Sequence, residues 1–209
     1  MKINKMLSNN KNHYAGVNKC KYITIHETGN ENKGANALNH AKYINNGSSA
    51  TWHYTVDDVQ VIQHFNDRVQ CWHSGEGKGD GNLNSIGIKG DGNLNSIGIE
   101  MCINSDGNMN KTIDNTIELI QYLMNKYNIP INNVVQHNHW SGKNCPANIR
   151  SGKPITWNTF IDKIKNKPIE NNILYKVQVG AFSKKDNAIK LSNELKKLGY
   201  DNFIVTQNK

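Results

Sequence analysis

Two histidines and a cysteine stand where this sequence could do chemistry. Val134–Pro146 reads VVQHNHWSGKNCP: a β-branched pair leads to His137, and Cys145 follows eight residues later, with Lys143 two before it and Pro146 closing the run. Far upstream, Tyr22–His26 (YITIH) is another β-like run that ends on a histidine. Imidazole nitrogen and thiolate sulfur are the donors zinc prefers. If Val134–His137 ends a strand, a turn at Ser141-Gly142 can bring Cys145 back beside His137. His26, His137 and Cys145 would then give three protein ligands and leave a fourth position for water, the arrangement of catalytic rather than structural zinc. Spacing alone leaves a plainer reading open, with histidines satisfied at strand ends and a cysteine packed as a small hydrophobe.

Bringing these residues together requires a sheet, and the chain reads as one. Residues 1–20 look like an irregular lead-in. Lys21–His26 is a strand, Glu27-Thr28-Gly29-Asn30 the loop beyond it, and Asn36–Ile44 a short helix stopped near Asn46-Gly47. Trp52–Asp57 and Val59–Phe65 form a hairpin, Trp52, Tyr54 and Val56 alternating with His53, Thr55 and Asp57 as in a half-buried strand. Lys78–Ile88 and Lys89–Ile99 are the same eleven residues, KGDGNLNSIGI, in tandem. Only the second copy leads into Glu100-Met101-Cys102, so it is expected to form the strand and the first an exposed insertion. Ser105–Asn108 is a turn, Thr112–Tyr127 an amphipathic helix ended by Asn128-Ile129-Pro130, and Trp157–Ile164 a last helix. Strands interleaved with helices predict an α/β fold, a mixed central β-sheet flanked by helices.

Beyond this lies a second segment. Residues 166–172 (NKPIENN) read as a linker. Tyr175–Phe182 then alternates as a strand, Asp186–Leu198 as a helix ended by Gly199, and Phe203–Val205 opens another strand: a short C-terminal βαβ segment. Half a sheet of this kind buries little and exposes its edge, which makes independent stability doubtful.

Composition narrows the functional classes. The net charge of +8 favours anionic partners. No basic helix, zinc-finger spacing or aromatic RNA-binding strand is present, which argues against nucleic acid. No stretch is apolar enough for a membrane span. Met1–Asn12 lacks the apolar core and cleavage site of a signal peptide, so synthesis in the cytoplasm is expected. Cys20, Cys71, Cys102 and Cys145 lie far apart with no CxxC, and a disulfide framework is not expected.

YITIHET, WHYTVDD, CWHSGEG, NSIGIEMC and HNHWSGKNCP occur in the order found in zinc-dependent N-acetylmuramoyl-L-alanine amidases. Over roughly residues 1–165 the chain resembles their phage-lysozyme and peptidoglycan-recognition branch, especially clostridial and bacillar endolysins. The resemblance implies a catalytic domain over 1–165 that binds Zn2+ through His26, His137 and Cys145. It would hydrolyse the amide between N-acetylmuramic acid and L-alanine of peptidoglycan. The segment 173–209 resembles the first half of a SPOR domain, a family that binds peptidoglycan glycan strands. The implied partners are peptidoglycan and the anionic polymers of a Gram-positive wall, met after release from the cytoplasm, with the protein acting as a monomer. The alternative is a non-catalytic peptidoglycan-binding module, as in relatives that lack the ligand cysteine.

The same resemblance assigns further roles. Glu100, which by spacing alone reads as a surface carboxylate, becomes the general base, and Lys143 the oxyanion stabiliser, on Cys145's side if that segment is extended. Trp52 stands where some members have a catalytic Tyr; an indole cannot transfer a proton, so it is assigned to packing or substrate contact. His73, in a segment like the family's AWH at the cleft rim, is a substrate-contact candidate. His139 replaces an Asp found in many relatives. Along an extended segment it would face as His137 does, so either could reach the metal; His137 is chosen because its spacing to Cys145 matches the family, and His139 is placed in the cleft or behind the ligands.

Overall fold

The alternating YITIHE run is realised as a strand near the centre of a six-stranded sheet in a computed structural model of the protein. The structure describes residues 2–75, 91–166 and 177–206. By chain contacts the protein divides into two units, Met1–Ile169 and Glu170–Lys209. In the first unit the order is β1 (Ile3–Lys5), β2 (His13–Tyr14), β3 (Tyr22–Glu27), α1 (Ala37–Asn45), β4 (Tyr54–Val56), β5 (Val61–Gln63), β6 (Gln70–Cys71), α2 (Asp91–Leu94) and β7 (Ser96–Met101). There follow α3 (Met109–Tyr127), a 3-10 turn at Ile131–Asn133, β8 (Val134–Gln136), α4 (Asn138–Ser141), α5 (Ala147–Arg150) and α6 (Trp157–Asn166).

The main sheet runs β1-β5-β4-β7-β3-β8, antiparallel only between β4 and β5, and β2 and β6 make a small separate pair. It is the mixed, helix-flanked α/β sheet expected from the sequence. On one face Ile23, Ile25, Ile97, Ile99 and Met101 are fully buried with α3 and α6 residues such as Ile117, Leu123 and Phe160. Ile62, on the opposite face, packs with Ala37 and Ala41 of α1. Asn36 caps α1 by accepting from the Asn39 amide, Asn108 caps α3 by accepting from the Lys111 amide, and Asn128 ends α3 at φ 59°.

Three local expectations are corrected. The lead-in is not irregular throughout: β1 pairs in parallel with β5, and β2 with β6. Strands of three and two residues are too short to leave a periodic signal. The hairpin strands are not half-buried: every residue of β4 and β5 is buried, because α1 covers the second face. Residues 138–141 form a helical turn rather than continuing extended from β8.

The second repeat copy supplies β7, as expected, and also α2 before it; the first copy, 78–88, lies outside the described residues. The residues just after each copy distinguish two otherwise identical frames. Met101 and Cys102 are 0% and 2% exposed, and using the first copy as the strand would give their places to Gly90 and Asp91. Emptying a Met site costs about 2–5 kcal/mol, and an unpaired buried carboxylate is penalised further.

Glu27, read from the sequence as loop, ends β3 and is 8% exposed. Its carboxylate accepts from the Asn148 amide at 2.9 Å and the Ile149 amide at 3.2 Å, tying α5 and the chain just after Cys145 to the sheet.

In the second unit α7 (Lys185–Lys197) forms close to expectation, with Gly199 at φ 86° just beyond it. The flanking strands do not: among described residues 177–206 nothing is paired as strand, and Val177, Val179, Phe203 and Val205 are 87%, 61%, 71% and 68% exposed. Within the described residues the βαβ expectation is corrected to a single helix, whose hydrogen bonds are internal.

Deleting residues 80–90 removes one repeat and leaves Gly75–Gly79 to join Ser74 to Asp91. A Cβ on Gly92 would lie 2.2 Å from Ser74 Oγ, so the ends are already adjacent and five residues suffice. Thermal unfolding by circular dichroism should show the shortened protein at least as stable as the parent. Glu27→Ala should lower stability by about 1–3 kcal/mol in denaturant titration, by leaving buried amides without an acceptor.

Candidate metal centre

Parallel pairing brings the reactive residues to one end and one face of the sheet. His26 of β3 lies opposite Glu100 of β7, and Glu100 opposite Thr55 of β4. Neighbours in register share a face, so all three point away from the α3 side. β8, the other neighbour of β3, stops at Gln136, and His137 follows with helical backbone, φ −53°, its amide donating to the Ile25 carbonyl. The site thus lies at the carboxyl ends of parallel strands, where open α/β sheets bind ligands.

Trp140 pins the helical turn α4. It is 1% exposed, donates from Nε1 to Thr24 Oγ1 at 2.8 Å, and meets the Tyr22 ring edge-on. Gly142, at φ 77°, reverses the chain. The Asn138 amide then donates to the Cys145 carbonyl, and Asn138 Nδ2 to that of Lys143. The Ser141-Gly142 turn therefore returns Cys145 beside His137.

One donor atom from each of His26, His137 and Cys145 lies within 4.8 Å of the others, and all three residues are buried. The two histidines face each other through Nδ1 at 3.0 Å. Donors on one tetrahedral zinc stand about 3.3–3.8 Å apart, given bonds of about 2.0–2.3 Å, so the spacing suits a metal ion. Electrostatics fits as well. Burial, reinforced by His137 and His73, holds His26 well below the usual imidazole range and keeps it a neutral ligand. Burial pushes the Cys145 thiol up to about 12, with Glu100 adding to the rise and the Glu27 amide and the Lys143 ammonium opposing it. A divalent cation inverts that preference, because a coordinating thiol is deprotonated outright.

Glu100 borders the cluster, with Oε1 3.9 Å from His26 Nδ1 and its side chain 15% exposed. Burial pushes its carboxyl up to about 8, opposed by Lys143 and aided by Glu27. Oε2 is buried with no hydrogen-bond partner among the described residues. An acceptor left open at the edge of a cluster is suited to take a proton from a reactant. Lys143 is exposed, and its backbone is not extended: the Cys145 amide donates to the Lys143 carbonyl in a tight turn. Its charge nonetheless acts on Glu100, His26 and Cys145.

The three expected contact residues differ in their surroundings. Trp52 is 6% exposed and packs with Ile44, Phe65 and Cys71, its indole donating to Thr55 Oγ1 at 2.7 Å, so it takes the packing role of the two assigned. His73 is not at a rim: it is 6% exposed, with Nδ1 3.0 Å from His26 Nε2. His139 is exposed against the Trp140 ring; α4 is helical, so His139 does not share His137's direction. Sequence reasoning also passed over His53, whose Nδ1 accepts from the Gly98 amide while Nε2 meets the Val69 carbonyl. Its place in an alternating strand gave no sign of these bonds.

Comparison with known proteins agrees with this geometry. The family model for N-acetylmuramoyl-L-alanine amidase matches residues 16–148, and that for the SPOR domain matches 158–209, beginning inside α6. The chain is 40% identical over 166 residues to the Bacillus subtilis N-acetylmuramoyl-L-alanine amidase CwlH, covering 77% of this chain and 60% of that one. It is 42% identical over 140 residues to XlyA of the same organism, covering 66% of this chain and 42% of that one. It therefore spans less than two thirds of either relative. The solved catalytic domain of XlyA superimposes with a TM-score of 0.68 at 38% identity, covering 78% of this chain and 99% of that domain. The structure of PlyL gives 0.65 at 35%, covering 78% and 97%. By sequence and by fold, the chain belongs to the N-acetylmuramoyl-L-alanine amidase family.

Proposed function

We propose that the protein is a cell-wall lytic enzyme that hydrolyses the amide between N-acetylmuramic acid and L-alanine in peptidoglycan, with zinc held by His26, His137 and Cys145. The observation that carries this reading is the buried two-nitrogen, one-sulfur cluster with the Glu100 carboxylate 3.9 Å from it. A non-catalytic wall-binding module would need neither a ligand thiol nor an acid with an open acceptor at the edge of the cluster.

Zinc, when bound, supplies Lewis acidity, polarising the scissile carbonyl and acidifying the attacking water. Glu100 takes the water's proton and passes it to the leaving alanine nitrogen. A carboxyl whose pKa lies near neutrality serves both halves of that transfer. Lys143 offers its ammonium to the oxyanion, a contribution of about 3–4 kcal/mol for one well-placed donor. His26 remains neutral, and both histidines are fixed in the fold, so positioning is in place before substrate arrives.

On this reading residues 1–165 are the catalytic unit, 166–172 a link, and 173–209 a SPOR-like segment that helps hold glycan strands. The charge of +8 favours the anionic polymers of a Gram-positive wall. The protein acts as a monomer.

Cys145→Ala should lose both zinc, read by metal analysis after dialysis, and lysis of purified walls; full metal occupancy in that variant would remove Cys145 from the ligand set. The parent should release new N-terminal alanine without new reducing sugar ends, and reducing ends would point to a glycosidase instead. Glu100→Gln should keep zinc yet lose about 10²–10⁴ in turnover, because an amide cannot accept the proton. Near-parent turnover in that variant would move the base elsewhere.

A further inference from the structure

We infer that His73 is a positioning residue for the metal cluster, fixing the tautomer and orientation of the His26 ring. The inference rests on His26, His137 and Cys145 being the metal ligands. His26 turns Nδ1 toward His137, so its Nε2 points away from the cluster, and there it meets His73 Nδ1 at 3.0 Å. The two rings stand edge to face, with centroids 5.1 Å apart and planes at 85°. An imidazole that gives its Nδ1 lone pair to a metal carries its proton on Nε2. A buried N–H needs an acceptor, and His73 Nδ1 is in place to be it.

His73 is itself held from two sides. Its amide donates to Asn93 Oδ1 at 2.8 Å, as does that of Ser74, and Asn93 belongs to the second repeat copy. Its ring lies against β7 at Gly98, where an added Cβ would come within 2.7 Å of His73 Cγ. Glycine inside this strand is therefore explained by the ring that covers it. The Ser96 backbone lies beside the ring and favours a proton on it. The contact that ties the residue to the metal cluster is the one to His26.

The test compares two polar variants of the full chain by zinc affinity, using competition with a chromophoric chelator. In His73→Asn the side-chain oxygen falls near the position of Nδ1 and can accept from His26. In His73→Gln the amide group falls near Nε2, and the acceptor beside His26 is lost. His73→Asn should bind zinc like the parent, whereas His73→Gln should bind about 10–100-fold more weakly, the range for removing a ligand's outer partner. The nitrogen chemical shifts of His26 should report the Nε2–H tautomer in the zinc-loaded parent and in His73→Asn. Parent-like affinity in His73→Gln, or equal weakening in both variants, would overturn the inference. Cys145→Ala measured alongside separates the two readings: if it abolishes zinc binding while His73→Gln does not, only the role of His73 falls. If Cys145→Ala binds zinc like the parent, the ligand assignment falls, and this inference with it.

Discussion

The pairing of β3 with β7 on one side and β8 on the other is the constraint the rest of the site depends on. Side chains in a strand alternate with period two, so a slip of one residue would carry His26 to the packed face and Ile25 to the cleft. That register is held from the opposite side of the sheet, where Ile23, Ile25, Ile97 and Ile99 are fully buried. Each such side chain contributes about 1.5–3 kcal/mol on burial, several times the net value of one hydrogen bond. The apolar face thus dictates where the polar residues stand, and His26, Glu100 and Thr55 form a row because the isoleucines beside them have nowhere else to go.

The polar face is electrostatically expensive in the protein alone. Burial there works against every charge, keeping His26 and His73 neutral and raising both the Cys145 thiol and the Glu100 carboxyl. The neighbouring histidines His53 and His64 are lowered by the same cause. Such a concentration of buried titratable groups contradicts the economy of an ordinary core and marks a site maintained for chemistry. A cation at the cluster would relieve two of these penalties together, by taking the thiolate as a ligand and by favouring the ionised carboxylate beside it.

What could be read from the sequence was what repeats or closes a period. The strands at Tyr22–Glu27 and Val134–Gln136, the long helix α3 and the return of Cys145 through Gly142 follow from alternation, 3.6-residue spacing and a glycine able to adopt positive φ. Residues that act across the fold left no such mark. Glu27 looked like the first residue of a loop, yet it holds amides more than a hundred positions away. Trp140 fixes the turn that carries His137 by bonding to Thr24, a partner far away in the sequence. The directions of His73 and His139 are set in the same way. Their direction depends on partners distant in sequence, Asn93 and Gly98 for the first and the helical winding of α4 for the second. In the C-terminal segment α7, whose hydrogen bonds are internal, is the regular element among the described residues.

The placement of Lys143 bears on what kind of substrate the proposed site suits. Its ammonium is exposed while the groups it acts on are sunk into the sheet edge. A unit charge pair at 4 Å is worth about 1 kcal/mol in water and about 4 kcal/mol at the effective dielectric of a protein surface. The full effect of Lys143 on a developing oxyanion therefore requires something to cover it and exclude water. Its chain neighbours Gly142 and Asn144 are exposed as well. A substrate that extends past the scissile amide in both directions would add such cover. A peptide branching from a glycan strand has that shape, with sugar on one side of the bond and the rest of the stem on the other. Binding energy from those remote parts would serve to desolvate the lysine at the moment charge develops, which is where such energy lowers a barrier.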